Sequence, residues 1–361
     1  MGTYLLTLGA FAAIQATVVL GLNIQFGYAG ILNFAYITFV AIGAYTTAVL
    51  TLGSGSQYFV QQHIVHVTVP WPLALLISGI VSSVLSLFLI MLLMKRLRSD
   101  YLAVAMVALG EVVWTVIGND TSLFNGWDGL VGIPQPYNNL GSTTTAEAAF
   151  FGITVAVALL AYLFTRNIYR SPMGRLLRSV REDPTVAETF GRSVGRARLV
   201  AFCLGGFLAG VGGGLMAMQT GAWSPNAFTP LETFFIFAAL IVGGTASPLG
   251  SVVGAVVLLG VIDEITRWLP AILAPSLISS LRFILIGIIV LVVLKVRSQG
   301  IVPEPNARRY QQFLRRELRD KWAPPLGRAA ADDPAAAPAW AASSASVSGA
   351  VRKLLAARSS R

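Results

Sequence analysis

Apolar residues fill nine long runs of the chain: Tyr4–Asn23, Ala29–Leu50, Trp71–Met94, Tyr101–Gly118, Ala149–Thr165, Leu199–Gln219, Leu231–Ser247, Gly250–Leu269 and Leu277–Val296. A bilayer hydrocarbon core of about 30 Å takes about 20 apolar residues to cross as a helix. The runs are continuous, whereas barrel strands show short alternating stretches. Backbone amides and carbonyls in lipid must also be satisfied within their own segment. The pattern therefore predicts an all-α, polytopic membrane protein with about nine transmembrane helices.

Polar connections between the runs fall into two kinds. Lys95, Arg96 and Arg98 mark the third-to-fourth connection, eight arginines crowd 166–198, and Lys295 with Arg297 follow the last run. The connections 51–70, 119–148 and 220–230 carry no Lys or Arg. Basic residues concentrate in cytoplasmic loops. The first group is thus expected inside and the second outside, with the N-terminus outside and the C-terminus in the cytoplasm.

Composition sharpens this picture. Hydrophobic residues make up 55% of 361 and charged residues 12%, with a mean hydropathy of +0.71; soluble domains carry roughly a quarter charged residues. The net charge of +10 comes from the loop and tail clusters, which is membrane topology rather than a nucleic-acid-binding face. Cys203 stands alone, so no disulfide framework or cysteine metal cluster is expected. His63 and His66 lack further ligands nearby, and neither a metal nor a cofactor is expected. The chain has no G-x-x-x-x-G-K-[ST] phosphate loop and no H-E-x-x-H pair, which excludes an ATPase and a metalloprotease of that type. Residues 1–300 read as the membrane domain. Beyond them, Ala307–Lys321 has the pattern of a basic surface helix, and Trp322–Arg361 is Ala/Pro/Ser-rich and expected to be disordered.

The inner loop 166–198 carries the most information. Ser171-Pro172 suits a helix start, and Met173–Arg181 can form an amphipathic helix with Leu176, Leu177 and Val180 on one side. Pro184 restarts the chain, Thr185–Phe190 supplies a further turn, and Gly191 suits its C′ position. Such a loop either docks on a cytosolic partner or anchors its arginines to lipid headgroups.

Five stretches in order, SPMGRLLRSVREDPTVAETFGRSVGRARLVAF (171–202) together with 21–50, 95–113, WDGLVGIP (127–134) and VGGTASPLGSVVGAVVL (242–258), resemble the permeases of branched-chain amino-acid ABC importers. Urea and short-amide permeases are close relatives. Within the loop, AETFG stands where that family carries its coupling motif. The resemblance implies an importer permease fold in the inner membrane, no enzymatic activity of its own, a second permease subunit (homologous but different), two cytosolic ATPase subunits and a periplasmic binding protein. It also places the ATPase-coupling role on Arg175, Arg178, Arg181, Ala187, Glu188 and Gly191. Two features depart from the family: relatives often carry a further span before the one matching Tyr4–Asn23, and Asn33-Phe34-Ala35-Tyr36 replaces a Ser/Gly/His-rich stretch. A secondary transporter or channel is the alternative class, although Glu111 is nearly alone at mid-depth, where ion coupling favours several carboxylates.

Polar groups at membrane depth are candidates for the translocation pathway. Glu111 lies about 15 Å into its span at 1.5 Å per residue. Asn23, Gln25 and Asn33 flank a Gly27–Gly30 break where unwound backbone can line a cavity. Asp263, Glu264 and Arg267 are spaced as a helix-surface ion pair. Gly206, Gly210 and Gly214, and Gly250 with Gly254, recur every fourth residue, the spacing that lets membrane helices approach closely.

Overall fold

A computed structural model describes residues 2–52, 68–94, 99–137, 141–261, 275–297 and 299–304. His63, His66, Lys95, Arg96, Arg98, Asp263, Glu264, Arg267 and everything beyond Glu304 lie outside the described residues. Met1–Glu304 forms one compact unit.

All nine apolar runs contain helix. α1 (Gly2–Leu22) continues into a π-helical turn at Asn23–Tyr28, followed by α2 (Tyr36–Leu52), α3 (Trp71–Met94), α4 (Ser99–Asn119) and the short α5 (Thr121–Phe124). Next come α6 (Thr143–Arg170), α7 (Pro172–Glu182), α8 (Pro184–Thr189), α9 (Val194–Thr220) and α10 (Leu231–Gly243). α11 (Pro248–Gly254) runs into a second π-helical segment, Ala255–Val261, and α12 (Pro275–Val296) ends the bundle. Six described helices are long and apolar enough to cross a membrane, those containing α1, α3, α4, α6, α9 and α10; α2, Pro248–Gly260 and Ile284–Val296 are shorter apolar helices.

Small residues build the core. α9 packs against α1, α2 and α3, and its glycines point in all three directions. Gly206 and Gly210 face α3, where a Cβ would press on Ser86 and on Ser78 with Ser82, and Gly214 lies between α2 and α3, against Thr47 and Leu75. Gly213 abuts the Val40 carbonyl of α2, and Gly212 abuts Val18 of α1. α3 answers with Ser78, Ser82 and Ser86, also spaced by four. Ser82 Oγ donates to Phe39 O at 2.7 Å, and Ser86 Oγ to Phe202 O at 2.8 Å. Lipid gives no hydrophobic drive for helix association, so close backbone approach and such hydrogen bonds supply the specificity. α2 is enclosed so fully that none of its residues is exposed.

Gly250 and Gly254 serve the α10–α11 hairpin, with Gly254 against Ala239 and Gly250 against the Gly243 carbonyl. The expected seventh run ends early, at Gly243, because Gly244 takes φ 119° and turns the chain into α11. The second helix starts seven residues later than its apolar run, at Tyr36. Gly30 has φ 68°, and Asn33 Oδ1 accepts from Ala35 N at 3.1 Å, so side-chain bonds replace helical ones there.

The connections gather at two ends of the bundle. At one end Thr3 meets Thr144 and Gln219 Nε2 donates to Thr7 O. A two-residue antiparallel ribbon there pairs β1 (Leu130–Val131) with β2 (Ala222–Trp223). The GWDGLVGIPQP turn and the 220–230 loop are thus one structure, and Trp114 Nε1 ties α4 to it through Pro225 O at 2.9 Å. At the other end lie Gly27–Gly30, α7, the Gly244–Ser247 turn and residues 299–304.

Candidate functional site

The second end carries the arginine-rich loop. Ser171 caps α7, its hydroxyl accepting from Gly174 N at 3.3 Å, with Pro172 at the first helical position. Asp183 caps α8 through Thr185 N (2.8 Å) and Val186 N (3.1 Å), ahead of Pro184. Gly191 closes α8 with φ 70°, its amide bonded to Glu188 O and the next one to Ala187 O. Caps of this kind stabilise a helix end by about 1 kcal/mol each. The loop is thereby a folded pair of short helices with its own boundaries.

Its two faces differ. Leu177, Val180 and Ala187 are buried against the bundle. The outward face presents Arg175, Glu188, Gly191, Arg192 and two apolar groups, Val186 and Phe190, the latter 79% exposed. A groove of about 440 Å³ lies beside this knob, lined by Pro172, Met173, Arg175, Leu176, Ser179 and Arg192.

The three arginines expected to act together are divided by the structure. Arg175 is exposed. Arg178 turns back on α6, donating to Tyr169 O at 3.2 Å while its guanidinium sits 4.2 Å from the Tyr169 ring centroid. Arg181 points into the bundle end, where Nη1 donates to Gly27 O and Nη2 pairs with Glu304 at 3.1 Å. Its stem fills the space left by the missing side chain of Gly30. Glu304 also accepts from the Tyr169 hydroxyl at 3.2 Å.

Behind Arg181 lies the polar break in α1. Asn23, Gln25 and Asn33 are fully buried. Asn33 Nδ2 donates to Gln25 Oε1 at 2.8 Å, and Gln25 Nε2 donates to Phe202 O in α9 at 3.1 Å. Asn23 Oδ1 accepts from Ala246 N in the α10–α11 turn at 3.0 Å. These three side chains therefore clamp α1 to α9 and α10–α11. The same turn is strapped by the chain end, with Ile301 N bonded to Val242 O and Val302 N to Gly243 O, both at 2.9 Å. This strap delivers Glu304 to Arg181. A contiguous set of bonds now joins the loop helix, the α1 break, α9 and the α10–α11 turn.

Glu111 stands apart from this set. It is exposed on α4 and makes no hydrogen bond or ion pair with any described residue. Sequence reading missed Glu304, Tyr169 and the α3 serines. The serines had a signal in their spacing of four; Glu304 lies 123 residues from Arg181 and had none.

An apolar helical bundle with a capped, basic, outward-facing loop at one end defines a polytopic membrane protein. The family model for branched-chain amino acid transport systems, permease component, matches residues 4–294, and the chain belongs to that family. It is 29% identical over 306 residues to the high-affinity branched-chain amino acid transport system permease protein LivM of Salmonella typhimurium, covering 79% of this chain and 66% of that protein. The chain therefore spans just under two thirds of that relative's length. It is 27% identical to the probable branched-chain amino acid transport permease protein LivM of Methanocaldococcus jannaschii, covering 79% and 89% respectively. It is 25% identical to the guanosine ABC transporter permease protein NupQ of Bacillus subtilis, over 59% and 67% of the two chains. No solved structure matches. These relatives are named as permease proteins.

Proposed function

We propose that this chain is the membrane-spanning permease subunit of an ABC importer of the inner membrane, and that it passes branched-chain amino acids toward the cytoplasm. The relatives named LivM support that solute, and the guanosine permease shows how far the solute varies within such proteins. A second permease chain, two cytosolic ATPases and a periplasmic binding protein complete the machine, and the C-terminus faces the cytoplasm. Glu188, Gly191, Ala187 and Arg175 form the surface that an ATPase grips, while Arg178 and Arg181 carry its movement inward.

The observation that carries this reading is the exposed Phe190 on a loop whose other face is bonded into the core. An aromatic side chain 79% exposed on a basic loop is unfavourable in water and suits a partner's groove. Closure of the ATPases then displaces the loop as a body, and the chain of bonds from Arg181 to Asn23 and Ala246 shifts the helices between two packings. The test is reconstitution with the ABC ATPases of the protein's own host. Phe190→Ser should leave the chain folded in the membrane, weaken ATPase co-purification and abolish ATP-driven leucine uptake. Full uptake by that variant would remove the coupling surface from this loop.

A further inference from the structure

Two helices of the bundle begin inside it. α2 starts at Tyr36, whose hydroxyl donates to Val18 O in α1 at 2.8 Å. α10 starts at Leu231, and its Thr233 Oγ1 accepts from Ile37 N at 3.2 Å. Both starts therefore lie level with Val18. Residues 3 to 18 of α1 are helical throughout, so this level is about 22 Å from the Thr3 end at 1.5 Å per residue. The chain descends to Leu231 from the β1–β2 ribbon through a single 3-10 turn, Pro225–Ala227, with non-helical residues on either side. Irregular backbone at membrane depth persists only where protein buries it or where it lines a cavity. Pro225 and Phe228 are buried, and Ala227 borders a cavity.

That cavity lies between α1, α2 and α10. Val18, Ile37, Val40 and Ile236 give it apolar walls, and Gln15 and Glu232 are its polar groups. Its volume is about 30 Å³, room for one water molecule. A mostly apolar space with a few convergent polar groups is the form that small-molecule sites take. Carboxylates inside a membrane bundle are costly and mark solute or ion paths. The polar side chains expected to line the pathway are placed elsewhere: Asn23, Gln25 and Asn33 form the clamp, and Glu111 faces off the bundle.

We infer that this cavity is a waypoint of the solute, which passes it as a zwitterionic amino acid. Glu232 receives the ammonium group, the Gln15 amide donates to the carboxylate, and the apolar walls take the branched side chain. The inference rests on the permease reading above and deepens it by naming residues that touch the solute. An amino acid needs several times the present volume, so the cavity is contracted in this packing. α10 meets α2 narrowly, at the Ile37–Thr233 bond. Moving α10 away from α1 and α2 widens the space while the α1–α2–α3–α9 core stays intact, a switch between two discrete packings.

The test begins with Cys203→Ser, which removes the chain's single cysteine. Gln15→Cys and Ile236→Cys are then made one at a time, with Leu160→Cys on the outer face of α6 as comparison. The whole transporter in proteoliposomes is treated with a charged, water-soluble methanethiosulfonate during ATP turnover. Gln15→Cys and Ile236→Cys should be modified and Leu160→Cys should not, and saturating leucine should slow the modification. Separately, Glu232→Gln should lower leucine uptake by roughly tenfold, the loss of one charge-assisted contact at 1.4 kcal/mol per decade. Glu232→Asp, which keeps the charge, should recover most of it. No modification at either cavity position, modification that leucine does not slow, or full uptake by Glu232→Gln would overturn the waypoint. Uptake by the Cys203→Ser parent separates the two readings. Its absence counts against the permease reading, while normal uptake without cavity modification overturns this inference alone.

Discussion

Arg181 is where the mechanism is most exposed to refutation. Its guanidinium donates to Gly27 O at the end of the π-helical turn and pairs with Glu304 at 3.1 Å, the two side chains being 25% and 17% exposed. A hydrogen bond from a charged group to a carbonyl contributes about 1.5–3 kcal/mol. The partly exposed ion pair adds about 0.5 kcal/mol. Arg181→Gln should therefore weaken the attachment of α7 to the α1 break by about 2–3.5 kcal/mol, or roughly 30- to 300-fold in the ratio of attached to detached states at 1.4 kcal/mol per decade. In proteoliposomes containing the whole transporter, that variant should keep hydrolysing ATP while solute uptake falls at least tenfold. Glu304→Gln should act in the same direction but more weakly, since the bond to Gly27 O survives. The double variant should match Arg181→Gln rather than multiply the two losses, because both changes act on one pair. Wild-type uptake in Arg181→Gln, or fully multiplied losses in the double variant, would show that this attachment does not transmit the motor's stroke.

Gly191 holds φ 70° with open space around its Cα. Gly191→Val should thus strain only the backbone, by about 1–2 kcal/mol, and lower uptake while membrane levels of the protein stay normal on immunoblots. Truncation after Glu304 should preserve uptake. Truncation after Gly300 should reduce it and lower the thermal midpoint of the purified protein, since it removes the Ile301 and Val302 amide bonds to the α10 end along with Glu304. Gly213→Ala drives a methyl group onto the Val40 carbonyl, and overpacking of this kind costs about 1–3 kcal/mol. Its signature is reduced yield of folded protein in detergent, whereas Gly287→Ala on α12, with nothing near its Cα, should be neutral.

Local signals in the chain were dependable where they concerned one helix end at a time. Ser171-Pro172, Pro184 and Gly191 placed α7 and α8 with their caps, because capping involves atoms within three residues of each other. The same letters were silent on direction. Arg175, Arg178 and Arg181 share a helical spacing of three, yet one reaches outward and two fold back, since Tyr169 and Glu304 wait only on the inner side. Apolar runs likewise concealed the start of α2, where Gly30 and Asn33 interrupt a stretch that reads as uniformly oily. Glu111 was legible as unusual at its depth; that it faces away from its own bundle depended on the packing of every other helix.

The close enclosure of α2 has a consequence for how this protein tolerates change. Its buried positions do not reach an acyl chain, so the membrane sets no demand on their polarity. That is why it accommodates Tyr36, Thr38, Tyr45 and Thr47 among its buried positions. Volume is the quantity that matters along it. An oily but oversized replacement such as Ala44→Leu should do more harm than a size-matched polar one such as Ala44→Ser, the reverse of the order a hydropathy scale gives for a membrane span.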